Sequence, residues 1–167
     1  AGYDLAGQEN GYPAVNYRKA YEYCHRHFVK KTVHAGEAYG AESIFQAITD
    51  LHADRIGHGT FLLDPVMIQD KDITDKERYV KDLVQYISDR RITLEVCLTS
   101  NMQTNPRFRK LEDHTFAGMR AARLSTTFCT DNRTVSNTTV SREIELAFQH
   151  LSLTPGDLKR SLIYGFK

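Results

Sequence analysis

Thr32-Val33-His34-Ala35-Gly36-Glu37 closes a short apolar run with a histidine and sets a carboxylate three residues further on, just past a glycine that breaks the run. Read as the C-terminal end of a buried strand, it places His34 and Glu37 where open and closed α/β folds carry their chemistry. Two later stretches repeat the arrangement, Arg55-Ile56-Gly57-His58-Gly59-Thr60 and Phe128-Cys129-Thr130-Asp131-Asn132. Each ends an apolar run on a group able to bind a metal ion or move a proton.

The segments between these runs decide how the strands are connected. The opening, Ala1 to Gly7, reads as the interior and end of a first strand, and the next helix carries Tyr17, Ala20, Tyr21, Cys24 and Phe28 at helical period. Further strands are expected over Lys31–Ala35, Arg55–Gly57, Ile92–Leu98 and Leu124–Thr130. Helices are expected over Ala41–Leu51, Thr74–Arg90 and Thr115–Ala122, and along the stripe Val140, Ile144, Ala147, Phe148 and Leu151. A last helix starts with Thr154 as cap, Pro155 in the first turn and Asp157 near the positive helix end. Five strands alternating with helices, without hairpin turns, argue parallel βαβ units. Neither a G-x-G-x-x-G turn nor a P-loop follows the first strand, so a nucleotide-binding doubly wound sheet loses its main support and a (β/α)8 TIM-type barrel gains. The expectation is one α/β domain over residues 1–167, with about five C-terminal βα units of an incomplete barrel. The abrupt opening and end suggest a fragment whose N-terminal strands are missing.

Composition narrows the partners. Lys and Arg number 22 against 21 for Asp and Glu, so no charge excess favours nucleic acid or an anionic membrane. No apolar run approaches the roughly 18 to 20 residues that span a bilayer. Three cysteines, Cys24, Cys97 and Cys129, lack C-x-x-C spacing and read as buried thiols of a reducing compartment. A cytoplasmic location is therefore the default, and nothing in the sequence sets an oligomeric state.

Imidazole and carboxylate are ligands that Zn²⁺ accepts. His34 and Asp131 would supply two, with His58 the remaining group at a strand end, and Glu37 is better placed to give or take a proton. A metal-assisted hydrolase site is one reading. The other is that a strand-end histidine packs and hydrogen-bonds and that Asp131 caps a helix. His25 and His27 lie on a helix, where residues two apart point about 200° apart, so they cannot chelate one ion and are read as surface or packing groups. Glu95, inside an apolar strand, needs a partner for its charge.

Taken together, Thr32-Val33-His34-Ala35-Gly36-Glu37, Arg55-Ile56-Gly57-His58-Gly59, Leu94-Glu95-Val96-Cys97-Leu98-Thr99-Ser100-Asn101 and Thr130-Asp131 resemble the adenosine deaminase family in order and spacing. The match runs from Asp4-Leu5-Ala6-Gly7 to the last helix. The resemblance implies a zinc-dependent barrel of the amidohydrolase type that hydrolyses the 6-amino group of adenosine to give inosine and ammonia. By motif, His34 and Asp131 would hold zinc, Glu37 would protonate purine N1, and His58 would orient and deprotonate the attacking water. Gly7 would offer its backbone N–H to purine N3, and Asn132 would face N7.

The sequence departs from the family twice. The family's first strand supplies a His-x-His pair of zinc ligands that is absent here, so the fragment alone is expected to be inactive. Asn132 stands where adenosine-specific members usually carry a second Asp. Two alternatives follow: a deaminase of a related aminopurine (adenine, AMP or a modified adenosine), or a non-catalytic barrel that uses this surface for binding.

Overall fold

The computed structural model describes residues 2–166; Ala1, expected in the first strand, and Lys167 lie outside them. Five strands form one parallel sheet in chain order: β1 (Gly2–Leu5), β2 (Lys30–Ala35), β3 (Arg55–His58), β4 (Thr93–Val96) and β5 (Thr126–Phe128). Helices α1 (Arg18–Arg26), α2 (Ala41–Thr49), α3 (Lys76–Arg90), α4 (Leu98–Thr104) and α5 (Phe116–Ala121) lie between them. After β5 come α6 (Arg133–Ser136), α7 (Val140–His150) and α8 (Pro155–Gly165). Strictly sequential parallel pairing is what successive βα units make in the wall of a TIM-type barrel. Among the described residues β1 and β5 each pair on one side only, so the sheet is an arc of such a wall. Among the described residues no helix is long and apolar enough to cross a membrane.

Strand alternation sorts the side chains into two faces. Val33, Ile56 and Leu94 stand level in the register and are fully buried against the helices with Ile44, Leu83, Ile87 and Met119. Each such burial stabilises by about 1.5–3 kcal/mol. The opposite face carries Thr32, Arg55 and Thr93 in one row and His34, Gly57, Glu95 and Thr127 in the next. Here Glu95 finds its partner, as Arg55 Nε lies 2.6 Å from Glu95 Oε1. That pair fixes side-chain positions more than it stabilises, because both charges leave water to meet.

Helices α3, α7 and α8 carry caps that their own sequences provide. Asp75 Oδ1 accepts from Arg78 N (3.0 Å) before α3, and Thr139 Oγ1 from Arg142 N (3.2 Å) before α7. At α8 Thr154 and Asp157 cap each other reciprocally at 3.1 and 3.0 Å, with Pro155 in the first turn, as the sequence predicts. At α4, where the sequence leads one to expect strand through Leu98, the first turn is closed from a distance. β4 stops at Val96, and Thr99 N donates to Glu143 Oε2 (3.0 Å) in α7, so the cap comes from a residue 44 positions on. Glu143 is wholly buried and also accepts from the Thr99 and Thr138 hydroxyls.

Other boundaries shift for local reasons. β5 is confined to Thr126–Phe128, shorter than the expected run to Thr130, because its partner β4 ends at Val96, level with Phe128. The stripe from Tyr17 to Phe28 is not one helix: Ala14–Tyr17 is a 3-10 turn, and α1 ends at Arg26 in tight bonds from His27 N to Cys24 O and from Phe28 N to His25 O. Phe28 is consequently 94% exposed. Cys24 and Cys97 are buried, but Cys129 is only half-buried, because it follows β5 into a cleft.

Candidate active site

The C-terminal ends of the strands open on a cleft of about 1040 Å³ whose walls include Gly7, His34, Glu37, Thr104, Asp131 and Asn132. His34 stands level with Gly57 on the adjacent strand. A Cβ at position 57 would lie 2.5 Å from His34 Cδ2, so only glycine lets the imidazole lie across β3. After Ala35 the chain turns at Gly36, whose φ of 75° suits glycine and where a Cβ would meet Ile44 Cδ1 at 2.5 Å.

The turn that carries Glu37 is held by Glu9, a buried side chain from the loop after β1. Glu9 Oε1 accepts from Gly36 N (2.9 Å) and Ser43 Oγ (2.6 Å), and Oε2 from the backbone N–H groups of Glu37 (2.9 Å), Ala38 (2.6 Å) and Tyr39 (3.2 Å). Five donors on two oxygens fix the loop backbone and hence the root of the Glu37 side chain.

Glu37 Oε1 accepts from Thr104 Oγ1 (3.1 Å), and Oε2 stands 3.7 Å from His58 Nε2. Burial pushes the Glu37 carboxyl up from the usual carboxylate range, while the Thr104 bond and His34 pull less strongly the other way. His58 sits behind the cleft wall, 1% exposed, with its ring edge-on to that of His34 at 4.5 Å. Burial first, then His34, hold its imidazole down at about 4. His58 has a left-handed φ of 67°, as Asp131 does at 54°.

Asp131 lies on the open side of the cleft, where its Oδ2 accepts from Ser100 Oγ (2.7 Å) in α4. The helix-cap alternative belongs to its neighbour: Asn132 Oδ1 accepts from Val135 N (3.1 Å) and starts α6, leaving the amide nitrogen outside the cap. Gly7 lines the cleft with φ 107°, and a Cβ there would meet nothing within 4 Å. His25 and His27 are remote; His25 stacks on His52 at 4.1 Å and His27 on Tyr23 at 4.0 Å. Burial pushes the Cys97 thiol far up and that of Cys129 to about 12, which removes both as thiolate nucleophiles.

Ligand-type atoms of His34, Glu37 and His58 all lie within 4.8 Å of one another. His34 Nδ1 and His58 Nε2 are buried and have no hydrogen-bond partner among the described residues. With Asp131 on the same cleft, this nitrogen and oxygen set fits zinc. Asp131 stands outside the 4.8 Å group, so the chain brings together the His34, Glu37 and His58 side chains more closely than it brings the aspartate.

Sequence reasoning missed Glu9, Thr104 and His114, and quoted Ser100 and Asn101 without a role. Three of these ride on α4, and the Asn105-Pro106 pair just past Thr104 is a helix-stop signal that could have revealed it.

A family model described as adenosine deaminase matches residues 1–167. The adenosine deaminase of Mycobacterium avium is 37% identical over 167 residues, covering 99% of this chain and 45% of that protein. A Zn-bound amidohydrolase from Burkholderia ambifaria superposes with a TM-score of 0.80 at 25% identity, over 99% of this chain and 42% of its own. An Arabidopsis N6-mAMP deaminase superposes with a TM-score of 0.73 at 26% identity, over 100% of this chain and 46% of its own. The chain thus spans less than half the length of the proteins it matches.

Proposed function

The chain belongs to the adenosine deaminase family, and from that premise we propose that it forms part of the site of a zinc hydrolase that converts adenosine to inosine and ammonia. One observation carries the reading: a carboxyl raised by burial, Glu37, at the mouth of a strand-end cleft beside two histidines and an aspartate. Attack of water on C6 disrupts the purine ring, and a proton delivered to N1 as the C–O bond forms neutralises the charge that develops there. A carboxylic acid that keeps its proton near neutral pH is suited to that transfer.

His34 and Asp131 would hold the ion. Bound zinc lowers the pKa of water toward about 7, which makes a nucleophile available at neutral pH. Glu37 holds the proton for N1, with Thr104 orienting its carboxyl. His58, behind Glu37, orients the attacking water through Nε2. Gly7 presents its backbone N–H to purine N3 without a Cβ in the way, and Asn132 directs its amide nitrogen at N7. The substrate is a small purine nucleoside. Neither a nucleic acid nor a membrane is part of the reading, and the location is cytoplasmic.

The test is Glu37→Gln in the full-length protein. Adenosine turnover should fall about 10²- to 10⁴-fold while zinc content stays unchanged. A variant that loses its zinc would place Glu37 among the ligands, and one with full turnover would end the proton-donor role.

Asn132 supports a second reading, a deaminase of adenine, AMP or a modified adenosine. An amide donates to N7 at any pH, whereas an aspartate does so only when protonated. Comparing kcat/KM for adenosine, adenine, AMP and N6-methyl-AMP in the full-length protein separates the two.

A further inference from the structure

Behind the cleft, a buried hydrogen-bond chain ends on His58, and its polarity can be read from one unambiguous donor. The backbone N–H of Phe116 donates to His114 Nδ1 (3.0 Å). An N–H cannot accept, so Nδ1 is the bare nitrogen of His114 and the ring proton sits on Nε2. His114 Nε2 lies 3.1 Å from the side chain of Asn101, which must therefore present its oxygen there. That orientation turns the Asn101 NH₂ toward His58 Nδ1, at 3.1 Å. The amide nitrogen only donates, so His58 Nδ1 accepts, and the single ring proton of His58 is on Nε2. Asn101, His114 and His58 are 1%, 3% and 1% exposed, so water does not compete for these bonds.

We propose that Asn101 and His114 are positioning residues that hold His58 as the tautomer protonated at Nε2, so that it meets the attacking water as a hydrogen-bond donor and not as its base. The role in the reaction rests on the deaminase reading; the tautomer does not. Nε2 with its proton has no lone pair to take another from water, and the basic nitrogen, Nδ1, is turned away from the nucleophile and occupied by the bond from Asn101. The proton leaving the water oxygen passes instead to the Asp131 carboxylate on the same cleft, since Glu37 already holds the proton for N1, and the freed electron pair forms the bond to C6. His58 Nε2, 3.7 Å from Glu37 Oε2, is free of other partners among the described residues and can point its proton at the nucleophile.

The experiment is long-range ¹H–¹⁵N correlation on the full-length protein carrying ¹⁵N-histidine. In the unsubstituted protein His58 should show an unprotonated Nδ1 and a protonated Nε2. Asn101→Asp replaces the donor toward His58 by an acceptor while still accepting from His114, so the His58 proton should move to Nδ1. Turnover of adenosine should then fall about 10²-fold or more with KM changed only a few-fold. A His58 protonated at Nδ1 in the unsubstituted protein overturns the proposal, and that spectrum decides even if the variant does not fold. A folded Asn101→Asp variant with an unmoved spectrum overturns it as well. If the unsubstituted protein turns over no adenosine while the spectrum is as expected, the deaminase reading fails and the tautomer assignment stands.

Discussion

Helices α8 and α4 begin in opposite ways. The first turn of α8 is closed by Thr154 and Asp157, three residues apart, whereas that of α4 is closed by Glu143, 44 residues away in another helix. The loop bearing Glu37 resembles α4 in this respect, since Glu9 reaches it from 27 to 30 residues before. The locally capped α3, α7 and α8 support the wall, while the elements that carry Ser100, Asn101, Thr104 and Glu37 are anchored from a distance. A remote buried carboxylate can set the orientation of a segment relative to the rest of the fold, which a local cap cannot do.

Removing a remote anchor should have the largest effect. Glu143→Ala leaves the Thr99 N–H and two hydroxyls without their acceptor and should cost about 3 kcal/mol or more in denaturant unfolding of the full-length protein. Turnover should fall with it, since α4 supplies the groups on Asp131 and Glu37. Full activity in Glu143→Ala would break the contrast between the two helices. Glu9→Gln is next: its NH₂ must face donors that an oxygen now accepts, for a loss of about 2–3 kcal/mol and a drop in turnover with zinc retained.

The pH dependence of the same anchored region is smaller. Burial holds His114 at about 4, below the usual 6.5 of an imidazole. The unfolded chain takes up a proton as pH falls through 6.5, and the folded one does not until about 4, so stability is complete above 6.5 and declines across that window. His114 should contribute a decline on the order of 1–2 kcal/mol between pH 7 and 5 in the metal-free full-length protein, and His114→Gln should remove that share while His58, held down in the same way, keeps its own. An unchanged slope in the variant would remove His114 as its source. The smallest effect belongs to the local cap: Thr154→Ala should cost about 1 kcal/mol and leave kcat untouched.

The same contrast explains what could be read in the sequence. The parallel barrel arc was legible because each apolar strand ends at a chemical group and each helix has a hydrophobic stripe. The cap of α8 was legible because cap and capped N–H are three residues apart, whereas Asp75, the cap of α3, fell inside the helix expected from Thr74. Gly7, His34, Glu37, Asp131 and Asn132 could be picked out at strand ends, and they line one cleft. α4 was hidden because its cap is in α7, and Leu94 to Leu98 alone is as apolar as a longer strand would be. The Asn101–His114 chain was hidden for the same reason, as its meaning depends on His58, 43 residues before Asn101. Asn132 was read for its substrate-facing nitrogen, while the oxygen that starts α6 needed coordinates to see.

His58 and Asp131 both occupy backbone conformations that an L side chain enters at a cost of about 1 kcal/mol or more and that glycine enters freely. At exposed Asp131 replacement by glycine would relax the chain and erase its chemistry in the same step, whereas at buried His58 the cavity and the unpaired Asn101 amide would outweigh the relief. A lineage released from selection for catalysis would therefore drift toward glycine at position 131, with stability rewarding the loss. In a related sequence, an aspartate kept at that strand end would mark a site still in use.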